Sequence, residues 1–206
     1  MTIEVHADIL CPWCYIFKRR LEAALAMIED VARPPIVWRA FELAPDQPRT
    51  PGATAAEAIL EWRSAREGAA HVERIRRLGA EEGLALDLNL ARPVNTFDAH
   101  RLVHLAAAGG RADAMVETLL HAYHVEGANV ADAGILADLG AAAGLDRAEI
   151  AATLDTDAFA EAVRRDEALA QARGVTGVPT LVIAGGEPIP GIRPARDLAR
   201  LIAARA

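Results

Sequence analysis

Apolar and polar residues alternate from Ile3 to Asp8, with Ile3, Val5 and Ala7 on one side and Glu4, His6 and Asp8 on the other. A period of two predicts a short strand. After a brief irregular stretch the period lengthens. Leu21, Ala24, Leu25 and Ile28 recur at the spacing of one helical face, with Lys18, Arg19, Glu22 and Glu29 largely off it. This helix should stop by Arg33, since Pro34 and Pro35 cannot continue it. Ile36 to Phe41 then reads as a second strand. At the far end Thr180 to Ala184 predicts a third. Gly185-Gly186 suits a two-residue hairpin turn, and Glu187 to Ile189 a short return strand stopped by Pro190. A last helix from about Pro194 would turn Leu198, Leu201 and Ile202 inward.

Between these ends almost everything reads helical. Thr54 and Glu57 form a capping box ahead of one long segment carrying Ile59, Trp62, Val72 and Ile75. Asn95 or Thr96 caps a helix through Leu102 and Leu105, and another spans Ala112 to Glu126. Asp132 starts one that ends at Gly144, Asp146 with Glu149 starts a short one, and Thr156 starts the last, through Phe159, Val163 and Leu169. The expected organisation is an α/β chain in three parts: strand–helix–strand over residues 1–44, an all-helical insertion over 45–173, and strand–strand–helix over 174–206. Trp38 and Trp62 are expected in the core.

Composition changes this picture little. The 206 residues are 52% hydrophobic and 25% charged, ordinary for a globular domain. The net charge of −7 gives no basic footprint for nucleic acid, and no apolar run is long enough to cross a bilayer. The N-terminus MTIEVHADIL lacks the layout of a secretory signal, so a cytoplasmic location is expected.

The chemistry concentrates in Cys11 and Cys14, the two cysteines of the chain. In a reducing compartment such a pair is more often catalytic, redox-sensing or metal-binding than a structural staple. Both lie where the first strand gives way to the helix. With Cys11 as N-cap, Pro12 falls at the first helical position, where its missing N–H costs nothing. A thiolate at Cys11 would face the free N–H groups of Trp13 and Cys14 and the positive end of the helix dipole. Cys11 is therefore the expected exposed nucleophile, and Cys14, one turn further in, the resolving partner. A zinc site would want two more ligands and no further cysteine remains, so no metal is assigned. A Cys-x-x-Cys pair opening the helix of a strand–helix–strand unit points to a thioredoxin-like redox site.

Three segments, CPWCYIFKRRLEAAL, NTFDAHRLVHLA (Asn95–Ala106) and GVTGVPTLVI (Gly174–Ile183), together resemble the DsbA-like thiol–disulfide oxidoreductases of the FrnE type over essentially the whole chain. The resemblance implies a thioredoxin-like fold with a large helical insertion over the active site, disulfide exchange through Cys11 and Cys14, and a cis bond at Val178-Pro179 beside them. Pro12 and Trp13 replace the Pro-His of the best-known periplasmic relatives, so their strong oxidising power is not carried over. The segment resemblance also places Asn95, Phe97 and His100 in a candidate substrate groove.

The remaining candidates are read conservatively. The pairs His100/His104 and His121/His124 each share a helical face without the glutamate of a zinc hydrolase, and are taken as solvated or hydrogen-bonded. Trp13 is a candidate docking surface, and Asp8 is the carboxylate nearest in sequence to serve Cys14. Dithiol–disulfide exchange on protein or small-molecule thiols leads the functional readings, with no cofactor and with glutathione as a co-substrate. A glutathione-dependent isomerase or transferase of the 2-hydroxychromene-2-carboxylate isomerase or kappa-class type is the alternative. An apolar binding or chaperone module is the third, and a homodimer would be unsurprising.

Overall fold

The computed structural model describes residues 1–28 and 34–205. Among them, β1 (Ile3–Ala7) runs at the centre of a four-stranded sheet of order β2-β1-β3-β4. It pairs in parallel with β2 (Ile36–Ala40), Val5 opposite Trp38, and antiparallel with β3 (Thr180–Ile183), Val5 opposite Leu181. The edge strand β4 (Ile189–Pro190) is shorter than expected and includes Pro190, tolerable at an edge where no ladder N–H is needed. The hairpin turn lies one residue earlier than Gly185-Gly186. Ala184 and Gly185 carry the positive φ values of 52° and 70°, and Gly186 N closes the turn on Ile183 O.

Helix α1 (Pro12–Ala26) follows β1 and ends on Met27, before Arg33 as expected and short of Ile28. α1 carries Cys14, Ile16, Phe17 and Leu21 into the core and packs against α9 (Ala195–Ala203), whose Leu198 and Ile202 are buried as expected. Seven helices fall between β2 and β3: α2 (Ala55–Trp62), α3 (Ala65–Glu81), α4 (Phe97–Ala108), α5 (Ala112–His124), α6 (Ala133–Ala142), α7 (Arg147–Leu154) and α8 (Ala160–Ala172).

Two helices differ from the reading of the sequence. The long segment after Thr54 is broken at Arg63, and Ser64 with Glu67 makes a second capping box for α3. The last insertion helix starts at Ala160, after Phe159 at φ 63°, rather than at Thr156. Thr156 instead bonds back to Ala152 O at the end of α7. Buried Arg101 of α4 captures the carbonyls of Thr153, Thr156 and Ala158, holding that connection open. Trp38 is buried and its Nε1 donates to Asp113 at 3.2 Å; the side chain of Trp62 lies outside the described residues.

The polar side of β1 does not face water. All five residues of the strand are buried, with Arg173 at the end of α8 and Arg39 of β2 bound to Glu4. Burial alone would raise the Glu4 carboxyl, but Arg173 and Arg39 bind it at 3.0 and 2.8 Å and hold it below its ordinary value. Asp166 of α8 takes Arg39 Nη1 and the N–H of Ala40, both at 3.0 Å. Alternation in the sequence thus marks a strand whose second face is closed by ion pairs.

Candidate active site

Chain direction reverses between the end of β1 and the start of α1. Cys11 N donates to Asp8 O at 3.2 Å, and Cys14 N to Cys11 O at 3.0 Å, forming the first helical turn. Cys11 is the N-cap and Pro12 opens the helix, as the spacing predicts. The sulfur behaves differently from expectation. No side-chain cap bond forms to the amides of Trp13 or Cys14. The Cys11 Sγ donates to the carbonyl oxygen of Val178 at 3.5 Å, and only 4% of the residue is exposed. The two cysteines are not joined in a disulfide. Val178 precedes Pro179 through a cis peptide bond. Cys14 is wholly buried. Burial, the hydrogen bond with Cys11, and the charges of Cys11 and Asp8 push its thiol well above the usual range.

Trp13 is half-covered rather than a free surface aromatic. His71 of α3 meets its ring edge-on at 5.8 Å, and the Arg74 guanidinium lies over it at 5.4 Å. Burial and the nearby Arg63 and Arg74 lower the pKa of His71. Helix α3 therefore leans over Trp13, between the cysteines. Tyr15, next to Cys14, donates to Glu117 of α5 at 2.7 Å; burial and that carboxylate push its hydroxyl up.

Beneath the cysteines lies a polar cluster that sequence reasoning largely missed. Asp8 is fully buried; its Oδ2 accepts Leu43 N at 2.7 Å, and its Oδ1 meets Thr96 Oγ1 at 2.9 Å and His100 Nε2 at 3.3 Å. His124 of α5 faces the backbone of Ile9 and Cys11; complete burial drives its pKa down to about 4. His124 Nε2 and the Tyr123 hydroxyl have no partner among the described residues. The sequence pointed to Asp8 by its nearness to Cys14 and to His100 by its segment, but not to their meeting or to His124.

The groove expected from Asn95, Phe97 and His100 takes another form. His100 is 4% exposed and turned inward onto Asp8. Asn95 Nδ2 binds Pro45 O at 2.8 Å and Glu42 Oε1 at 3.4 Å, while Phe97 is stacked under Arg164 at 4.3 Å. Buried carboxylates outcompete solvent for the polar groups of His100 and Asn95, so these two hold Asp8 and Glu42 while Phe97 packs on Arg164. His104 bonds Asp166 at 3.0 Å, and half-exposed His121 lies 3.4 Å from Glu126. Among the described residues no group of three or more His, Cys, Asp or Glu is placed to hold a metal.

What the arrangement can do follows from the contrast between the two sulfurs. One lies at the helix start against a carbonyl acceptor, and the other lies beneath it, protonated and enclosed. Comparison with known proteins agrees with this layout. The chain is 32% identical to a probable DsbA oxidoreductase of Streptomyces coelicolor, whose crystal structure superposes with a TM-score of 0.93 over 100% of this chain and 89% of that one. It is similar in fold to the cytosolic disulfide reductase DsbM of Pseudomonas aeruginosa (19% identity, TM-score 0.67, 99% and 98% covered) and to a 2-hydroxychromene-2-carboxylate isomerase (20%, 0.73, 99% and 94%). A curated Bacillus subtilis protein, the uncharacterized YwbO, is 28% identical over 92% of this chain and 89% of its own length. The DSBA-like thioredoxin domain matches residues 2–203, and the chain belongs to that family.

Proposed function

We propose that this chain is a thiol–disulfide oxidoreductase of the FrnE type, working through Cys11 and Cys14. The observation that carries the reading is the pairing of unlike sulfurs at one helix start: Cys11 beside the Val178 carbonyl, Cys14 buried one turn below. The Cys11 thiolate attacks a substrate disulfide, a mixed disulfide forms at Cys11, and the departing sulfur leaves as a thiolate. Cys14 then attacks Cys11, closing the intramolecular disulfide and freeing the second substrate sulfur. Oxidation of a substrate runs the same steps backwards. Pro12 sets the helix start, Trp13 and the Val178-Pro179 loop flank the reacting sulfur, and no metal, flavin or nucleotide is needed.

Glutathione is the small-thiol co-substrate we assign, supported by the solved complex of DsbM with GSH, a neighbour in fold. A cytoplasmic place is likewise our reading; no described helix is long and apolar enough to cross a membrane. The test is trapping. Cys14→Ser incubated with glutathione disulfide should accumulate a glutathione adduct at Cys11, read by mass spectrometry, while wild type closes its own disulfide and Cys11→Ser forms no adduct. A Cys11→Ser protein that retained full activity toward a glutathione-dependent isomerisation substrate would favour the isomerase reading instead.

A further inference from the structure

Charge is unevenly distributed around Cys11. Lys18 and Arg19 of α1 are neutralised by Glu22 and Glu117, and Arg20 by Glu82. On another flank, the stretch Gly174–Thr180, whose Val178 carbonyl accepts the Cys11 thiol, carries no charged side chain. Asp8 is fully buried and bonded to Leu43 N, Thr96 and His100. Helix α3 is different. His71 and Arg74, three apart and so on one helical face, both meet the ring of Trp13, two residues from Cys11.

Arg74 is exposed and, unlike Arg77 with Glu81 on the same helix, pairs with no carboxylate among the described residues. Its guanidinium lies 5.4 Å from the centroid of the Trp13 ring. A cation over an aromatic face is not neutralised by it, so the guanidinium keeps its charge and its forked donors for an anion. The acidic neighbours on α3 are engaged elsewhere. Glu73 lines a separate groove with Arg76 and Arg77, and Glu67 is spent on the Ser64 cap. Arg63, also exposed and without an ion pair among the described residues, is near enough to act together with Arg74 on the charge of His71. In a chain of net charge −7, a patch of unbalanced positive charge thus borders the dipeptide between the cysteines.

We infer that Arg74, with Arg63 behind it, makes this site select small anionic thiols and disulfides, by binding the carboxylate of a glutathione-type substrate whose sulfur reaches Cys11. The inference rests on the dithiol reading of Cys11 and Cys14, and adds to it the residue that sets the charge of the substrate. Small size follows from the cover: with 4% of Cys11 exposed, a short flexible ligand meets the sulfur where a folded protein surface is held off. Charge follows from the flanks, since the uncharged Val178 loop and the neutralised cations of α1 leave α3 as the side with charge to offer. The carboxylates of glutathione lie one to two residue lengths from its sulfur, a span of roughly 4–7 Å. That is the scale of the 5.4 Å between Arg74 and the Trp13 ring. Arg74 makes and breaks no bond; it raises the share of encounters that bring an anionic disulfide onto Cys11.

The experiment compares disulfides of different charge. Reduced protein is reacted with anionic glutathione disulfide, neutral hydroxyethyl disulfide and cationic cystamine, and the rate of attack by Cys11 is read by alkylation quench and mass spectrometry. The measured quantity is the ratio of the glutathione disulfide rate to the cystamine rate, in wild type, Arg74→Met, Arg74→Lys and Arg76→Met. Intrinsic differences between the disulfides, and any change in Cys11 itself, cancel when that ratio is compared between proteins. Arg74→Met should lower it by about tenfold, the worth of one charge-assisted hydrogen bond. Arg74→Lys, which keeps the charge and loses the fork, should fall between, and the wild-type ratio should shrink as salt screens the site. Arg76→Met makes the same charge change in the groove away from Trp13 and should leave the ratio in place. A role confined to propping Trp13 would change all three rates by one factor and leave the ratio of Arg74→Met at the wild-type value, which overturns the proposal. So does an equal fall in Arg74→Met and Arg76→Met, since net charge alone would then account for it. If wild type reacts with none of the three disulfides, the dithiol reading itself fails.

Discussion

Arg101→Met offers a test of how α4 is held to the α7–α8 connection. Arg101 is 4% exposed, and every nitrogen of its guanidinium is engaged. Nε donates to Ala158 O at 2.8 Å, Nη1 to Asp98 Oδ1 at 2.7 Å, and Nη2 to the carbonyls of Thr153 and Thr156. Methionine fills much of the volume but leaves three carbonyls and one carboxylate without their donor. Asp98 keeps exposed Arg49 as a second partner, so part of its charge remains compensated. Breaking a buried ion pair by removing one member costs about 3–5 kcal/mol. For a chain of this length each kcal/mol lowers Tm by roughly 2–4 °C, so the loss should be on the order of 10 °C. Circular dichroism melts of wild type and Arg101→Met would measure it, with Arg101→Lys recovering only part because one ammonium cannot reproduce the planar fork. A fall of less than about 2 °C, below the worth of one kcal/mol, would refute the reasoning that these bonds hold α4 to the α7–α8 connection.

Three further outcomes follow from the same geometry. Glu42 has a folded pKa of about 7, above its ordinary value of 4.5, so the stability it contributes is present at acid pH and is lost as pH rises toward and through 7. Glu42→Gln should therefore look better relative to wild type at pH 8 than at pH 5, by on the order of 1 kcal/mol once solvent and Arg164 are allowed for; equal differences at both pH values in urea titrations would contradict this. Lys18, the one lysine, is 2% exposed and lies 3.1 Å from Asp113 and 3.0 Å from Glu117, with Glu22 also bonded. Lys18→Met should cost about 1–3 kcal/mol at pH 7, since the carboxylates it leaves are partly solvated. Glu117 is held below its ordinary pKa, so its contribution is lost as pH falls through that lowered value, and the deficit should shrink by pH 3. Trp13→Ala removes the contacts with His71 and Arg74 that cover the Cys11 side of the helix. Each is worth about 1 kcal/mol, so alkylation of Cys11 at fixed pH should quicken by up to roughly 30-fold; an unchanged rate would show that Trp13 is no part of the cover.

The parts of the fold that were legible in the sequence are those set by neighbours in the chain. The β1 alternation, Pro12 after Cys11, and the Thr54–Glu57 box each act within a few residues, and each predicts its element. The break between α2 and α3 was equally local, written in Ser64 and Glu67, but was hidden by the continuous apolar spacing around it. What the pattern cannot carry is partnership at long range. Asp8 meets Thr96 and His100 about ninety residues away, and Glu42 meets Arg164 more than a hundred away. A histidine on a helical face reads the same whether it ends in water or on a buried carboxylate, so His100 was assigned to a groove and His124 to no role. The burial of Cys11 was missed for the same reason: Val178, which accepts its thiol, is 167 residues distant.

The most direct test of the account is the redox equilibrium of the Cys11–Cys14 pair across a series of glutathione ratios, read as the fraction of intramolecular disulfide. The account predicts that the disulfide forms and exchanges reversibly, with a potential inside the range of about −120 to −270 mV spanned by known dithiol oxidoreductases. A value near the upper end would mark an oxidant or isomerase, and one near the lower end a reductant. If no intramolecular disulfide forms at any ratio, the reading of Cys11 and Cys14 as a redox pair is contradicted.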